Sequence, residues 1–301
     1  MLYICTVENT PNINYSEIQA LIRLVEDPDP LVFNQVKQKL VSYGKPALSS
    51  IENAWTNDVY NHEHQERLVE VLRQIQVEDL KIKLQKWKDS STRDLLQGAL
   101  IISQFQFPDI NETEIEAEIE KIKQQVWLEI NDENTAFEIV KIFNHVLFDL
   151  CGFKPSKSNF HSPQNSYINT VLKNKKGNPL SLSILYSVIA QRLEIPIYGV
   201  NLPNQFVLGF LDENKTLKML DANSDRNVLF YINPFSKGRI FDYNEIEGYL
   251  RSLNLPLKNN YIEPCSNTEI LKRMLKNLSY SYKKVGEISK VDEIEELQLI
   301  L

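Results

Sequence analysis

The stretch Lys176-Gly177-Asn178-Pro179-Leu180-Ser181-Leu182-Ser183-Ile184-Leu185-Tyr186-Ser187-Val188-Ile189-Ala190-Gln191-Arg192-Leu193 decides how this protein is read. Asn178 is a good helix N-cap, and Pro179 suits the first helical position, where its missing N–H is no loss. The helix that follows, residues 180–193, has no polar face. Leu182, Ile184, Leu185, Val188, Ile189 and Ala190 point to most sides of it. A helix apolar all round belongs in the interior, so this one is central and buried.

Downstream, the periodicity shortens. Residues 197–202, 206–211, 217–220 and 228–232 read as strands, and their spacing and turns predict an antiparallel sheet. A helix over 243–253 follows. Two helices close the sequence. Leu271, Leu275, Leu278 and Tyr282 line one face of the first, and Gly286 separates it from the second, 288–300.

Upstream, the first 150 residues read as helix after helix. Ile18, Leu21, Ile22 and Val25 share a face, and Asp29-Pro30 starts the next helix with Val32, Phe33, Val36 and Leu40. A third carries Leu48, Ile51 and Trp55. Leu68, Val71, Leu72 and Ile75 form one further run, and Leu80, Ile82, Leu84 and Trp87 another. Short helices joined by Asp-Pro and Gly-x-Pro turns resemble HEAT-type pairs. A helix is expected over 91–106, and another where Ile115, Ile119, Ile122 and Val126 recur at helical spacing. A third, over 136–150, is followed by a loop over 154–164 and a short helix over 165–173. The fold class is therefore α+β and mostly helical.

Composition restricts the chemistry. Of 301 residues 43% are hydrophobic and 24% charged, enough for a real core and typical of a globular protein. Nine Gly is about 3%, under half the usual ~7%. With 4 His and 3 Cys, the sequence is poor in the residues that build phosphate loops, disulfide frameworks and metal clusters. A net charge of −7 disfavours nucleic acid as a partner. Lys173, Lys175 and Lys176 are read as a solvated helix end. No apolar run is long enough for a membrane span. The first eight residues, Met1 to Glu8, lack the basic start of a signal peptide. Three scattered cysteines, Cys5, Cys151 and Cys265, fit a reducing cytoplasm.

Three motifs carry a resemblance. Asn165-Ser166-Tyr167 with 176–186, then Val200-Asn201-Leu202-Pro203-Asn204-Gln205-Phe206, then Ile232-Asn233-Pro234-Phe235-Ser236-Lys237-Gly238, stand in the order of the SirB1 family, which the sequence resembles. That family carries a domain of the transglutaminase-like superfamily, also found in certain F-box proteins. The likeness covers roughly residues 90–300. Asn277-Leu278-Ser279-Tyr280-Ser281-Tyr282-Lys283-Lys284-Val285-Gly286 is similar to part of a tetratricopeptide repeat. The resemblance implies a papain-like core, with Cys at the start of the central helix, His on the next strand and Asp on the one after. Three regions are expected: a HEAT-like layer (1–90), which lies outside the likeness, the transglutaminase-like domain with its helical lead-in (91–265) and a tetratricopeptide-like hairpin (266–301).

Matched position by position, the triad is missing. The Cys place falls on or near Pro179, the His place on Gln205 and the Asp place on Asn233. None titrates near neutral pH, so no catalytic residue is expected there. Ser181 is a weak alternative nucleophile, better read as a first-turn cap. Cys265 precedes a helix start, a setting that can lower a thiol pKa. Cys151 follows an apolar stretch and reads as buried and inert. His62 and His64, at i and i+2, read as part of a surface loop, and His145 as packed and hydrogen-bonded. The aromatic residues Phe153, Phe160, Tyr167, Tyr186, Phe206, Phe230, Tyr231 and Phe235 are mostly core.

A cleft retained without its triad would be lined by Asn165, Ser166, Asn178, Ser181, Gln205, Phe206 and Asn233. The implied function is a non-catalytic binding or adaptor protein with a protein or peptide partner, and with no cofactor, metal, nucleic acid or membrane. The competing class is a cysteine-protease-like hydrolase or acyltransferase using Ser181 or a cysteine. A transcription-related regulator is the third.

Overall fold

The computed structural model describes residues 14–57, 62–157, 159, 161–220 and 226–301. Cys5, Phe160 and the residues Met1 to Glu8 lie outside them. The protein divides into two compact units, Met1–Lys83 and Leu84–Leu301.

The first unit is helical: α1 (Tyr15–Leu24), α2 (Pro30–Tyr43), α3 (Lys45–Asn57) and α4 (His62–Asp89), which continues into the second unit. Asp29 caps α2 by accepting from the Leu31 N–H, with Pro30 at the first position. Ile18, Ile22, Val36, Leu40, Ile51, Leu68 and Val71 form its core. One expectation changes here. Residues 62–89 are a single 28-residue helix, not a loop followed by two helices. No Gly or Pro interrupts 76–79, so nothing breaks the hydrogen-bond ladder. The histidine pair thus sits on a first turn rather than in a surface loop. His62 is exposed and paired with Glu66 (3.2 Å). His64 is turned into the core, with Nδ1 3.3 Å from Glu26 Oε1 and Nε2 3.3 Å from the Ile22 carbonyl.

The second unit opens with α5 (Leu95–Ser103), α6 (Glu112–Glu129) and α7 (Ala136–Asn144). α6 buries Ile115, Ile119, Ile122 and Val126, the stripe its spacing predicts. α7 runs on into one π-helical turn, His145–Leu150, which turns Val146, Leu147 and Phe148 inward. His145 is therefore exposed rather than packed, though its ring does pair with Asp149 (3.4 Å).

Next come β1 (Lys154–Pro155), α8 (Ile168–Asn174), β2 (Lys176–Gly177) and the central α9 (Pro179–Arg192). After α9 follow β3 (Ile197–Val200), β4 (Val207–Leu211), α10 (Thr216–Leu220), β5 (Val228–Asn233), β6 (Arg239–Phe241), α11 (Tyr243–Ser252) and α12 (Asn259–Ile262). The last two helices are α13 (Asn267–Val285) and α14 (Ile288–Ile300).

Every residue of α9 from Leu180 to Ala190 is buried. β3 to β6 form an antiparallel meander in sequence order, with Gly199 opposite Leu208 and Leu208 opposite Ile232. α9 packs against β3 and β4, and Ile246 and Leu250 of α11 join Val200, Val207, Val228 and Tyr231 in a second cluster. This is the expected helix-on-sheet core, with one strand exchanged. Residues 217–220 are helical, because the Asp212 carboxylate accepts from the Thr216 and Leu217 N–H groups (2.8 and 2.7 Å) and caps the turn. The fourth strand is β6 instead.

The C-terminal hairpin is part of this unit. α13 packs on α5, α9 and the 3₁₀ turn Pro163–Asn165. Ile270, Leu271, Met274, Leu275, Leu278 and Tyr282 are buried along it. Gly98 permits the approach, since a Cβ there would collide with Leu271 and Trp87. The Tyr282 hydroxyl meets the Tyr167 hydroxyl and Gln106 Oε1, both at 2.8 Å, so the interface is also polar and specific.

Candidate functional site

The start of α9 is closed by a capping box. Asn178 Oδ1 accepts from the Ser181 N–H (2.9 Å), and Ser181 Oγ accepts from the Asn178 N–H (3.0 Å). The Ser181 hydroxyl donates to the Asn165 carbonyl at 2.6 Å and is buried. Asn178 Nδ2 donates to Ser166 Oγ (3.0 Å). Four residues expected in one cleft, Asn165, Ser166, Asn178 and Ser181, thus meet, as a mutual network that holds the helix start in place. Gly177 is the fifth member: a Cβ there would stand 2.6 Å from Ser181 Oγ.

A cavity of about 290 Å³ opens beside this network. One wall is the first turn of α9, with Asn178, Pro179 and Leu180. A second is the loop before β4, with Asn204, Gln205 and Phe206. Pro179 and Gln205, matched separately to the nucleophile and base places, therefore face one space. Asn165, Ser166 and Ser181, spent in the network, do not line it, and neither does Asn233. At the end of β5 its side chain accepts from the Ser236 N–H (3.2 Å) and starts a 3₁₀ turn. Gln205 is hydrogen-bonded to the phenol of Tyr249, whose hydroxyl donates to the Pro203 carbonyl (3.0 Å).

The third wall comes from α13: Arg273, Asn277, Tyr280 and Ser281. His161 closes the rim, its ring edge-on to Tyr280 with centroids 5.3 Å apart. Sequence reasoning alone misses the four α13 residues. A signal is present, since 273, 277, 280 and 281 are spaced i, i+4, i+7 and i+8, a polar stripe beside the apolar one. Arg273 is half-buried, and its Nη1 donates to Asn201 Oδ1 (2.9 Å).

The two described cysteines, Cys151 and Cys265, do not line the cavity. Burial pushes the Cys265 thiol up to about 12, with the nearby Glu269 charge adding to it. That is opposite to the lowering a helix start would bring, because the adjoining cap is the Ser266 side chain and the thiol itself is desolvated. Cys151 is partly buried, its thiol donates to Gln125 Oε1 (3.3 Å), and desolvation raises its pKa too. The lysine trio does not act as a patch. Lys175 pairs with Glu118 (2.8 Å), whose pKa it lowers, and lies over the Phe153 ring. Among the described residues no three His, Cys, Asp or Glu side chains form a metal-binding group, and no helix is long and apolar enough to cross a membrane.

A family model described as the transglutaminase-like superfamily matches residues 113–276, from α6 into α13. The UPF0162 protein of Xylella fastidiosa (strain 9a5c) is 26% identical over 205 residues, covering 64% of this protein and 66% of the relative. The UPF0162 protein of Vibrio cholerae is 25% identical over 194 residues, 62% of this protein and 66% of the relative. Human F-box only protein 21 is 29% identical over 206 residues, 60% of this protein and 31% of the relative. The matched segment thus spans just under two thirds of the UPF0162 relatives' length and under one third of the F-box relative's. No solved structure matches. With more than half its length matched, α9 and the sheet included, the protein belongs to the transglutaminase-like superfamily.

Proposed function

We propose that this protein is a non-catalytic binding module that takes a peptide segment of a protein partner in the cavity between α9, the loop before β4 and α13. One observation carries the reading. The positions matched to nucleophile and base, Pro179 and Gln205, share a cavity, and neither residue exchanges a proton at neutral pH. The nearest hydroxyl on α9, Ser181, is tied into the cap. An amide- and aromatic-lined recess with a few polar groups is the ordinary form of a binding site. We also assign the protein to the SirB1 branch of the superfamily and to the cytoplasm, with a HEAT-like region (1–90), the domain proper (91–265) and a tetratricopeptide-like hairpin (266–301). That the same segment recurs in UPF0162 proteins and as under a third of an F-box protein supports a portable module.

The test is capture of randomised octapeptides on the immobilised full-length protein, read by mass spectrometry, against Asn277→Trp, which fills the cavity. Retention by the native protein and loss in the variant is expected. Equal retention by both, or none by either, overturns the reading.

A further inference from the structure

The cavity is charged on one side only. Arg273 is its lone Lys or Arg among the described lining residues, and no Asp or Glu lines it. The guanidinium carries five N–H donors. Its hydrogen-bond partner is a neutral amide, Asn201 Oδ1. The thiol of Cys265 and the phenol of Tyr249 lie near it, and burial raises the pKa of both, so both are protonated at neutral pH; Glu269, one turn away on α13, is engaged by the Ser266 N–H and hydroxyl (2.8 and 3.0 Å). No carboxylate of the described residues lies within ion-pair distance of it. A half-buried cation left without a counter-charge is costly, and such groups are ordinarily paired. The surroundings favour the same sign of ligand. The cavity faces the first turn of the 14-residue α9, the positive end of its dipole, and Asn204 and Asn277 offer amide donors.

We propose that the cavity recognises a carboxylate on the bound peptide, with Arg273 as its counter-ion. This rests on the binding reading above and names the chemical group that the site takes. A carboxylate matches one guanidinium in charge and in planar, two-point geometry. A phosphate carries close to two charges at neutral pH and would be under-compensated by a single arginine. The carboxylate has two sources, a peptide C-terminus or an Asp or Glu side chain, and the experiment separates them.

Three octapeptide pools are passed over the immobilised full-length protein. One has free C-termini and no Asp or Glu, one is amidated and contains Asp and Glu, and one is amidated without either. At least one carboxylate pool is expected to be retained about tenfold to a hundredfold over the uncharged pool, the size of a charge-assisted hydrogen-bond pair. The better-retained pool identifies the source. The preference should vanish in Arg273→Gln and persist in part in Arg273→Lys. It should also vanish in Asn277→Asp, which gives the guanidinium an internal partner four residues along α13 and tests the idea if Arg273→Gln folds poorly. Equal retention of all three pools, or a preference that survives both Arg273→Gln and Asn277→Asp, overturns the carboxylate inference and leaves peptide binding standing. Retention of no pool overturns both.

Discussion

The two helical walls of the cavity are built in opposite ways. At the start of α9 the polar groups answer one another: Asn178 and Ser181 cap reciprocally, Ser181 reaches Asn165, and Asn178 reaches Ser166. On α13 the polar stripe faces the cavity, and its charged member is held only by a neutral amide. The α9 wall fixes shape, and the α13 wall leaves bonding capacity for something else. In a papain-like enzyme the helix start would present the nucleophile. Here a capping box occupies that end, and the charged side chain of the cavity stands on the hairpin.

The contrast breaks most severely if the hairpin is removed. Deleting residues 266–301 strips away Ile270, Leu271, Met274, Leu275, Leu278 and Tyr282 and uncovers their neighbours. At ~1.5–3 kcal/mol per buried side chain, that is on the order of 10 kcal/mol, comparable to a whole domain's stability. The truncated protein should lose the cooperative thermal transition of the second unit. A melt within a few degrees of the full-length protein's would show that the hairpin is an appendage.

Smaller changes separate the walls. Asn178→Ala removes a cap and a buried partner of Ser166, and should cost about 2–3 kcal/mol in urea denaturation. Ser181→Ala leaves the Asn178 N–H and the Asn165 carbonyl with only their long mutual bond (3.4 Å) and should cost about 1–2 kcal/mol. Losses below about 0.5 kcal/mol for both would mean that the network does not hold the helix start.

A thiol installed at the helix start sharpens the comparison further. Pro179→Cys should give a cysteine whose alkylation by iodoacetamide has a midpoint below that of a free cysteine, because the helix end favours the thiolate. Native Cys265 should behave oppositely, protonated and unreactive at pH 8, with its pKa up at about 12. The sign follows from the raised pKa. The stability that depends on Cys265 remaining protonated is complete below its ordinary value of 9.0, and is lost as pH climbs from there toward 12. Peptide mapping of alkylated sites across pH 6–10 reads both thiols. A midpoint for Pro179→Cys at or above that of a free cysteine would show that the helix end exerts no field on this wall. The smallest effect on stability belongs to Arg273→Gln, under about 1 kcal/mol, since the native guanidinium lacks a charged partner to lose. A loss as large as that of Asn178→Ala would make Arg273 structural.

Most of this architecture is legible in the sequence because strong local signals agree. Asn178-Pro179 before a mostly apolar run marks α9, and the i, i+4, i+7, i+11 isoleucines and valine mark α6. The misread elements are those in which a single contact outweighs a short pattern. The Asp212 cap makes 216–220 helical, and β6 is three residues long, too short for its alternation to register. The site is half legible. Pro179 and Gln205 come from motif position, and the cavity places them together. Asn233 does not join them, because the backbone of the 3₁₀ turn engages its side chain. Arg273, Asn277 and Tyr280 lie some 70 residues further on; their spacing marks a polar stripe, but what that stripe faces is set by the docking of α13 on α5 and α9, a long-range packing event.

The most direct test of binding in place of chemistry is intact-mass spectrometry of the native full-length protein. It is incubated at pH 7.5 with a fluorophosphonate and, separately, with iodoacetamide, and adducts are mapped to residues. The expected result is no stoichiometric adduct at Ser181, Ser281 or Cys265. One adduct per molecule at any of the three, lost on unfolding, would contradict the account and make the cavity an active site.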